Sequence, residues 1–390
     1  MIPYGKHHLD EQDFIAVREV LSGNSLTQGP AIESFEEALA AYVGAKFAVA
    51  VSSGTAALHL AALAAGAKDS TSIVTSPITF VASANAANYV GAKVVLADIC
   101  PDTINISPDA LANALENNPD TRVVIPVHFA GLPCNMAKIR SLADGAGAFV
   151  IEDGCHALGS KYDDGQMVGC CANSLMTTFS FHPVKAIAAG EGGVITTNNE
   201  EIYRKLLRLR SHGINKLNDE FVYKNQAETS GVNNPWYYEM QDLGYNYRLT
   251  DIQAALAQSQ LSKIDKFIAR RKELAYRYDD FFKTFDLLRP AQFNGREQSA
   301  HHIYTIRCDF EAIGKTRAEV MLTLRDEGVI TQVHYIPVHY HPYFKEKFKT
   351  LGNFPNAEKY YDEALTIPLF YGLKNEQQDF VVDLLRGLIS

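Results

Sequence analysis

The sequence predicts an α/β fold: a large, mainly parallel sheet with helices on both faces, followed by a smaller C-terminal α+β unit. Three observations predict it. Over roughly the first 200 residues, short apolar runs of strand length alternate with helical segments, as in a sheet covered by crossover helices. A polar and aromatic stretch over 213–247 then interrupts the alternation. Beyond Thr250 the order changes to a long helical region and a second, shorter set of strands and helices. The boundary is accordingly placed at 250: residues 1–250 form the large unit, and 251–390 the interdomain helix and the small C-terminal unit. A chain of 390 residues agrees with two or three domains at roughly 100–200 residues each.

Each element has a local reason. Asp10 can cap a helix whose Phe14, Val17 and Leu21 share a face and which Gly23 ends. The next helix runs over 30–42. Phe47–Val51 is a buried strand leading through Ser52-Ser53-Gly54-Thr55 into an alanine- and leucine-rich helix over 56–65, closed by Gly66. Further strands are expected at 73–76, 94–98, 123–127, Phe149–Asp153, 175–181 and 194–197. The 213–247 stretch contains Asn233-Asn234-Pro235-Trp236-Tyr237-Tyr238 and is too long for a passive connector, so it is expected to be a functional excursion. Thr250 and Gln253 make a capping box for an amphipathic region that starts with Ile252, Leu256 and Ser259 and continues towards Phe282. After it come a strand over 302–310, a helix over 316–327 stopped by Gly328, a strand over 330–335, and helices over 358–364 and 377–388. No internal repeat or heptad series is present.

Composition narrows the function class. With 47% hydrophobic and 21% charged residues and a net charge of −9, the chain has the profile of an ordinary soluble globular protein, and nucleic acid is not an expected partner. No apolar run reaches the roughly 18 residues that span a bilayer, and the first residues lack a signal-peptide core, so no membrane partner is expected and the cytoplasm is the expected location. Cys100, Cys134, Cys155, Cys170, Cys171 and Cys308 show no metal-ligand spacing, and reduced thiols are the simplest reading. Cys155, close to Asp153, has no evident base and reads as packed and inert rather than nucleophilic.

The chemistry concentrates at strand ends. Ser53-Gly54-Thr55 lies between a strand and a helix, where free N–H groups and the helix dipole suit a phosphate; simple capping by Ser53 is the plain alternative. Asp153 ends an apolar strand where open α/β sheets hold ligands, and there it needs a cationic partner; it could otherwise cap a following helix. Lys185 follows the strand over 175–181, so its amine should emerge from an apolar wall into a cleft that lowers its pKa, a surface lysine being the bland alternative. Ser180 can give a hydroxyl to the same phosphate or pair with backbone, and Phe80 can lie flat on a ring or belong to the core. An amine able to form an imine and a carboxylate able to keep a pyridine nitrogen protonated are together what pyridoxal 5′-phosphate chemistry needs. Arg248 could bind a substrate carboxylate bidentately or form a structural salt bridge. His334, His339 and His341 lack metal-site spacing and suit a sugar-facing loop better, with His341 exposed. Glu191 could be a buried structural acid or a catalytic one.

In order, Ser53-Gly54-Thr55, Pro77-Ile78-Thr79-Phe80, Glu152-Asp153-x-x-His156-Ala157-x-Gly159, Phe179-Ser180-Phe181-His182-Pro183-x-Lys185, Gly190-Glu191-Gly192-Gly193, Arg210-Ser211-His212-Gly213 and Gly244-x-Asn246-x-Arg248-Leu249 resemble the DegT/DnrJ/StrS sugar aminotransferases. The resemblance runs from Leu26-Thr27-Gln28-Gly29 to Thr366-Ile367-Pro368. Within the family, His156-Ala157-Leu158-Gly159-Ser160, Arg210-Ser211-His212-Gly213 and Gln332-Val333-His334-Tyr335-x-Pro337 are similar to members that make UDP-4-amino-4,6-dideoxy-N-acetyl-β-L-altrosamine on the way to pseudaminic acid.

The resemblance implies the fold type I of aspartate aminotransferase and a pyridoxal 5′-phosphate cofactor that passes through pyridoxamine 5′-phosphate. It implies that Lys185 carries the cofactor and Asp153 pairs with its ring nitrogen. His156 would lie near the phenolic oxygen and Phe80 against the ring, with Ser53, Gly54, Thr55 and Ser180 around the phosphate. It further implies a homodimer with shared sites, in which Asn246 reaches the phosphate of the neighbouring subunit's cofactor. The substrates would be a UDP-linked 4-ketosugar and L-glutamate, met by Thr27, His182, Arg248, His334 and Tyr335. A dehydratase of the same fold would carry histidine in place of Lys185, and a non-catalytic regulator would need neither Lys185 nor Asp153.

Overall fold

The computed structural model describes residues 1–215, 220–293, 295–347 and 352–389. Two helices, α1 (Glu11–Ser22) and α2 (Pro30–Val43), precede the first strand. The large sheet is then built from β1 (Phe47–Val51), β2 (Ser72–Thr75), β3 (Lys93–Leu96), β4 (Thr121–Ile125), β5 (Phe149–Asp153), β6 (Met176–Ser180) and β7 (Gly193–Thr197). Its helices are α3 (Gly54–Ala64), α4 (Val81–Tyr89), α5 (Pro108–Asn117), α6 (Met136–Gly145) and α7 (Glu200–Arg210). The strand order is β1-β7-β6-β5-β4-β2-β3. All neighbours are parallel except β7, which runs antiparallel to β1 and β6.

Alternate residues of each strand feed opposite cores. Val49, Ile73, Val123 and Ile151 face α3, α4 and α7, while Ala48, Val74, Val124 and Val150 face α2, α5, α6 and a later helix. Covered on both sides, the strands must be apolar throughout, which is why they stand out in the sequence. The strands expected in the large sheet are all present, with ends that move by up to two residues.

The 213–247 excursion is pinned at its neck. A Cβ on Gly213 would fall 1.7 Å from the Asp242 carbonyl oxygen and one on Gly244 1.9 Å from the Gly213 nitrogen, so the two chains pass at backbone contact that glycine alone allows. Within it lie β8 (Ile214–Asn215), α8 (Lys224–Ala227), β9 (Glu228–Thr229), β10 (Val232–Asn233) and β11 (Glu239–Met240), with β8 paired to β11 and β9 to β10. Residues 216–219 of the excursion lie outside the described residues. Glu239 accepts hydrogen bonds from the backbone of Val222 and Tyr223 and from Tyr237 and Gln241.

Two helical regions show detail that their sequence pattern does not carry. Phe14 and Leu21 do not face inward: they are 51% and 57% exposed, and the buried residue of α1 is Asp13. Its carboxylate accepts from Ser259, Gln260 and Lys263 of the neighbouring helical region, so a polar anchor and not the apolar stripe orients α1. The region from Thr250 is two helices, α9 (Asp251–Leu261) and α10 (Ile264–Phe282), broken at Ser262-Lys263. The Thr250–Gln253 capping box starts α9 as expected, but its buried face is Ala254, Ala257, Gln260 and Leu261.

The remaining chain forms β12 (Leu288–Pro290), β13 (Tyr304–Cys308), α11 (Phe310–Ile313), α12 (Arg317–Asp326), α13 (Pro342–Lys347), α14 (Pro355–Glu363), β14 (Ala364–Ile367) and α15 (Asn375–Ile389), with the sheet order β12-β13-β14. Its core joins Leu274, Tyr278 and Phe282 of α10 to Ile306, Leu365 and Leu385, and takes in Ile2 from the start of the chain. The expected strand over 330–335 is absent. Gln332 alone bridges Thr366, and the segment then leaves the sheet towards β5 and β6. No helix among the described residues is long and apolar enough to cross a membrane.

Candidate active site

Strands β1, β2, β5 and β6 end at one rim of the sheet, and the segments that leave them enclose a cavity of about 810 Å³. This is where a doubly wound sheet leaves room for a ligand. At one end is the start of α3. Ser53 caps it through a 3.1 Å bond from Ala56 N–H, and the N–H groups of Gly54 and Thr55 at its first positions have no intrahelical acceptor. Capping and anion binding are thus compatible roles of one turn. A Cβ on Gly54 would lie 2.8 Å from Ser180 Cβ and 3.3 Å from Cys155 Sγ, so glycine keeps α3 against the end of β6.

Asp153 is 5% exposed at the end of β5. Turns and not a helix follow it, which removes the helix-cap alternative. Its Oδ1 accepts from Cys155 N–H at 3.1 Å and its Oδ2 from the Ser83 hydroxyl at 2.6 Å, and Ser83 is 2.8 Å from Thr79 Oγ1. Ser83 is a site residue that the sequence reading missed. The signal was the pair of hydroxyls at Thr79 and Ser83, one turn apart at the start of an otherwise alanine-rich helix.

Lys185 follows β6 and lines the cavity, half-buried. Burial lowers its pKa, and the Asp153 carboxylate works the other way. The surface-lysine alternative is therefore set aside. Burial, then the Asp153 carboxylate, push the Cys155 thiol well up, so it stays protonated and unreactive at neutral pH. Phe80 stands 57% exposed at the start of α4, on the cavity wall and outside the core. Ser180 and His182 line the same space. Glu191 is exposed on its rim, which removes the buried structural acid from the two alternatives.

The loop after residue 330 closes the cavity with His334 and Tyr335, and His341 also reaches it, so His341 is not simply solvent-facing. His334 is buried with Nδ1 2.9 Å from Thr366 Oγ1, and burial together with the Lys185 charge takes its pKa down to about 3. His156 is buried, packs against His302 with ring centroids 4.3 Å apart and planes tilted by 39°, and is held well below its ordinary pKa by burial and by Lys185. His339 pairs instead with Glu358 at 3.0 Å. Among the described residues no group of three or more His, Cys, Asp or Glu is placed to hold a metal ion.

Three expected residues do not line this cavity. Thr27 bridges Thr250, Asn246 is exposed and bridges Ser211, and Arg248 bridges Val51 through its backbone. Arg248 makes no ion pair among the described residues, and its Nε is buried without a partner. Tyr4 lines the cavity although nothing nearby in the sequence announces it, because the N-terminal segment is brought to the site by long-range pairing, Ile2 beside Val329 and the Tyr4 carbonyl accepting from Leu369 N–H.

The donor set fits pyridoxal 5′-phosphate. Helix N–H groups and Ser180 suit the phosphate, a doubly hydrogen-bonded carboxylate suits the ring nitrogen, and a half-buried amine of lowered pKa suits the aldehyde.

Residues 7–386 match the DegT/DnrJ/EryC1/StrS aminotransferase family. The chain is 38% identical over 391 residues to the spore coat polysaccharide biosynthesis protein SpsC of Bacillus subtilis (strain 168), covering 100% of this chain and 97% of SpsC. It is similar to the solved structure of Helicobacter pylori PseC, an aminotransferase involved in the biosynthesis of pseudoaminic acid, with TM-score 0.88 and 30% identity over 100% of this chain and 99% of PseC. The PMP form of Spr1654 from Streptococcus pneumoniae aligns with TM-score 0.88 and 27% identity over 100% of this chain and 99% of that one, and the same protein is also solved in a PLP form. The chain belongs to the DegT/DnrJ/EryC1/StrS aminotransferase family and is a pyridoxal 5′-phosphate-dependent sugar aminotransferase.

Proposed function

We propose that the enzyme moves the amino group of L-glutamate to the 4-keto carbon of UDP-2-acetamido-2,6-dideoxy-β-L-arabino-hex-4-ulose, giving UDP-4-amino-4,6-dideoxy-N-acetyl-β-L-altrosamine. The observation that carries this reading is the end-to-end likeness to PseC. The 38% identity to SpsC favours a second reading, a different UDP- or dTDP-linked 4-keto-6-deoxysugar.

When bound, pyridoxal 5′-phosphate supplies an aldehyde that receives the amino group and a pyridine ring that draws electron density from the carbon losing its proton. In our reading the protein does the rest. The start of α3 and Ser180 hold the phosphate, Phe80 keeps the ring flat, and Asp153 keeps the ring nitrogen protonated. Lys185 Nζ carries the cofactor between turnovers, takes a proton from the α-carbon of the amino donor and returns one to the acceptor sugar. Positioned proton transfer of this kind typically contributes about a hundred- to ten-thousand-fold. Arg248 binds the donor carboxylate, while Thr27, His182, His334 and Tyr335 meet the substrates. We further propose a homodimer in which Asn246 reaches the cofactor phosphate of the neighbouring subunit, and a division into units at residue 250.

The test is a panel of UDP- and dTDP-linked 4-ketosugars incubated with glutamate and holoenzyme, following 2-oxoglutarate. Consumption of donor with the UDP-N-acetyl sugar above the others supports the first reading. Preference for another ketosugar replaces it with the second.

A further inference from the structure

We propose that the protein holds a single monatomic anion, chloride in an ordinary buffer, on the Arg271 guanidinium, in a small pocket between α10, the N-terminal segment and the residues that follow β6. The site is separate from the large cavity, and the proposal does not depend on which ketosugar the enzyme uses.

Arg271 of α10 is 3% exposed. Its Nη1 donates to the carbonyls of His302 and Leu369 at 3.0 Å and 3.1 Å, and its Nε is buried with no acceptor. No carboxylate offsets the charge: burial alone acts on its pKa and takes it down to about 10. Arg307, the other buried arginine among the described residues, has a counter-charge, since its Nε donates to Glu363 at 2.6 Å. A buried cation without one is costly.

The pocket beside Arg271 decides what can supply the missing charge. Its polar lining is Arg271, Lys185, Lys6, His7, His8 and Gln260, and the rest of the wall is alanine and aromatic. No acidic side chain is among them, in a chain whose net charge is −9. The Gln260 amide nitrogen is committed to the His8 carbonyl at 3.0 Å and to Asp13 Oδ2 at 2.8 Å, which leaves a ligand the donors of the basic side chains. The volume, about 10 Å³, is that of one water-sized body. A chloride ion suits such a space, and a carboxylate or a phosphate is too large for it. Water fills it without offsetting the charge of Arg271, whereas an anion does both. Lys185 lines this pocket as well as the large cavity, so the ion ties the N-terminal segment and α10 to the stretch of chain that carries the Lys185 amine.

Crystals of the holoenzyme grown in sodium bromide test the site, because bromide scatters anomalously. The expected result is an anomalous peak within hydrogen-bond reach of the Arg271 guanidinium. In solution, replacing gluconate by chloride at constant ionic strength should raise the Tm of the holoenzyme by about 2 °C and then level off, as binding to one site in the folded state requires. Arg271→Met should lose both the peak and the chloride effect. If that variant does not fold, Arg271→Lys, which keeps a charge but not the Nε donor, should weaken the chloride effect. No bromide peak at Arg271, a water in its place, or a Tm indifferent to chloride overturns the proposal, and so does a peak that persists in Arg271→Met.

Discussion

The Ser83 hydroxyl donates to Oδ2 of Asp153 across 2.6 Å, and through it helix α4 sets the orientation of the carboxylate at the end of β5. Ser83 is fully buried and is held in turn by Thr79 at 2.8 Å, so the Asp153 side chain is tied to a helix that packs over β2 and β3. Hydrogen bonds to a charged group contribute about 1.5–3 kcal/mol. Ser83→Ala should therefore lower kcat by roughly ten- to a hundredfold, at 1.4 kcal/mol per factor of ten, with a smaller effect on Tm. Steady-state kinetics of the purified variant checks this, and an unchanged kcat would mean that Asp153 needs no such support.

Gly54 and Gly193 should respond differently to alanine. At Gly54 the new Cβ meets the side chains of Ser180 and Cys155, at 2.8 Å and 3.3 Å, whereas at Gly193 it meets the Ser53 carbonyl oxygen at 2.4 Å. Ser180 Cβ is carried by its own backbone and no rotamer moves it, so Gly54→Ala needs a shift of a few tenths of an ångström between α3 and the end of β6, whereas the 2.4 Å approach to backbone at Gly193 demands a larger one. Overpacking costs about 1–3 kcal/mol. Gly54→Ala is expected to weaken cofactor binding about tenfold while leaving the fold intact, and Gly193→Ala to lower Tm or prevent expression. Equilibrium dialysis against pyridoxal phosphate and thermal melts separate the two outcomes.

Asp13 makes stability depend on pH. Burial opposes its charge, but hydrogen bonds from Lys263, Ser259, Asp10 N–H and Gln260 outweigh it and hold its pKa below the ordinary value. A carboxylate with a depressed folded-state pKa adds stability above its unfolded value, about 3.9, and loses it as pH falls through the lower folded value. Asp13→Ala, which leaves the mostly buried Lys263 without one carboxylate, should cost about 3 kcal/mol at pH 7. The gap between wild type and variant should close below about pH 4. Melting curves from pH 7 to pH 3 would show it.

Arg248 has a buried Nε with no partner and no ion pair among the described residues. A half-buried guanidinium with its Nε unpaired is free of any structural ion pair among the described residues, which keeps it available as the proposed ligand of the donor carboxylate. Arg248→Ala should raise the KM for glutamate by about ten- to a hundredfold, with the KM for the ketosugar changed far less. Equal changes in both would assign Arg248 to structure.

Much of the site was legible because its residues stand at strand ends. Phe149–Asp153 is an apolar run closed by an acid, and Met176–Ser180 is followed at once by Lys185; burial on two faces makes such runs visible, and the sheet brings their ends to one rim. What was not legible depends on long-range packing. Phe14, Val17 and Leu21 share a face by their spacing, but which side of α1 points inward is decided by the buried ties of Asp13 to Ser259 and Gln260, 246 and 247 residues away. The 330–335 segment has strand composition, but beyond the bond from Ile330 N–H to the Ile2 carbonyl and the single Gln332–Thr366 bridge it pairs with no strand before it brings His334 and Tyr335 to the cavity. Tyr4 reaches the site by the pairing of Ile2 with Val329, which no local pattern encodes.

The central claim is that Lys185 Nζ carries the cofactor. Borohydride reduction of the holoenzyme followed by peptide mapping tests it directly. A phosphopyridoxyl group on the peptide containing Lys185, and no label in Lys185→Ala, is the predicted result; label on another lysine, or an unlabelled protein that still turns over, would contradict it.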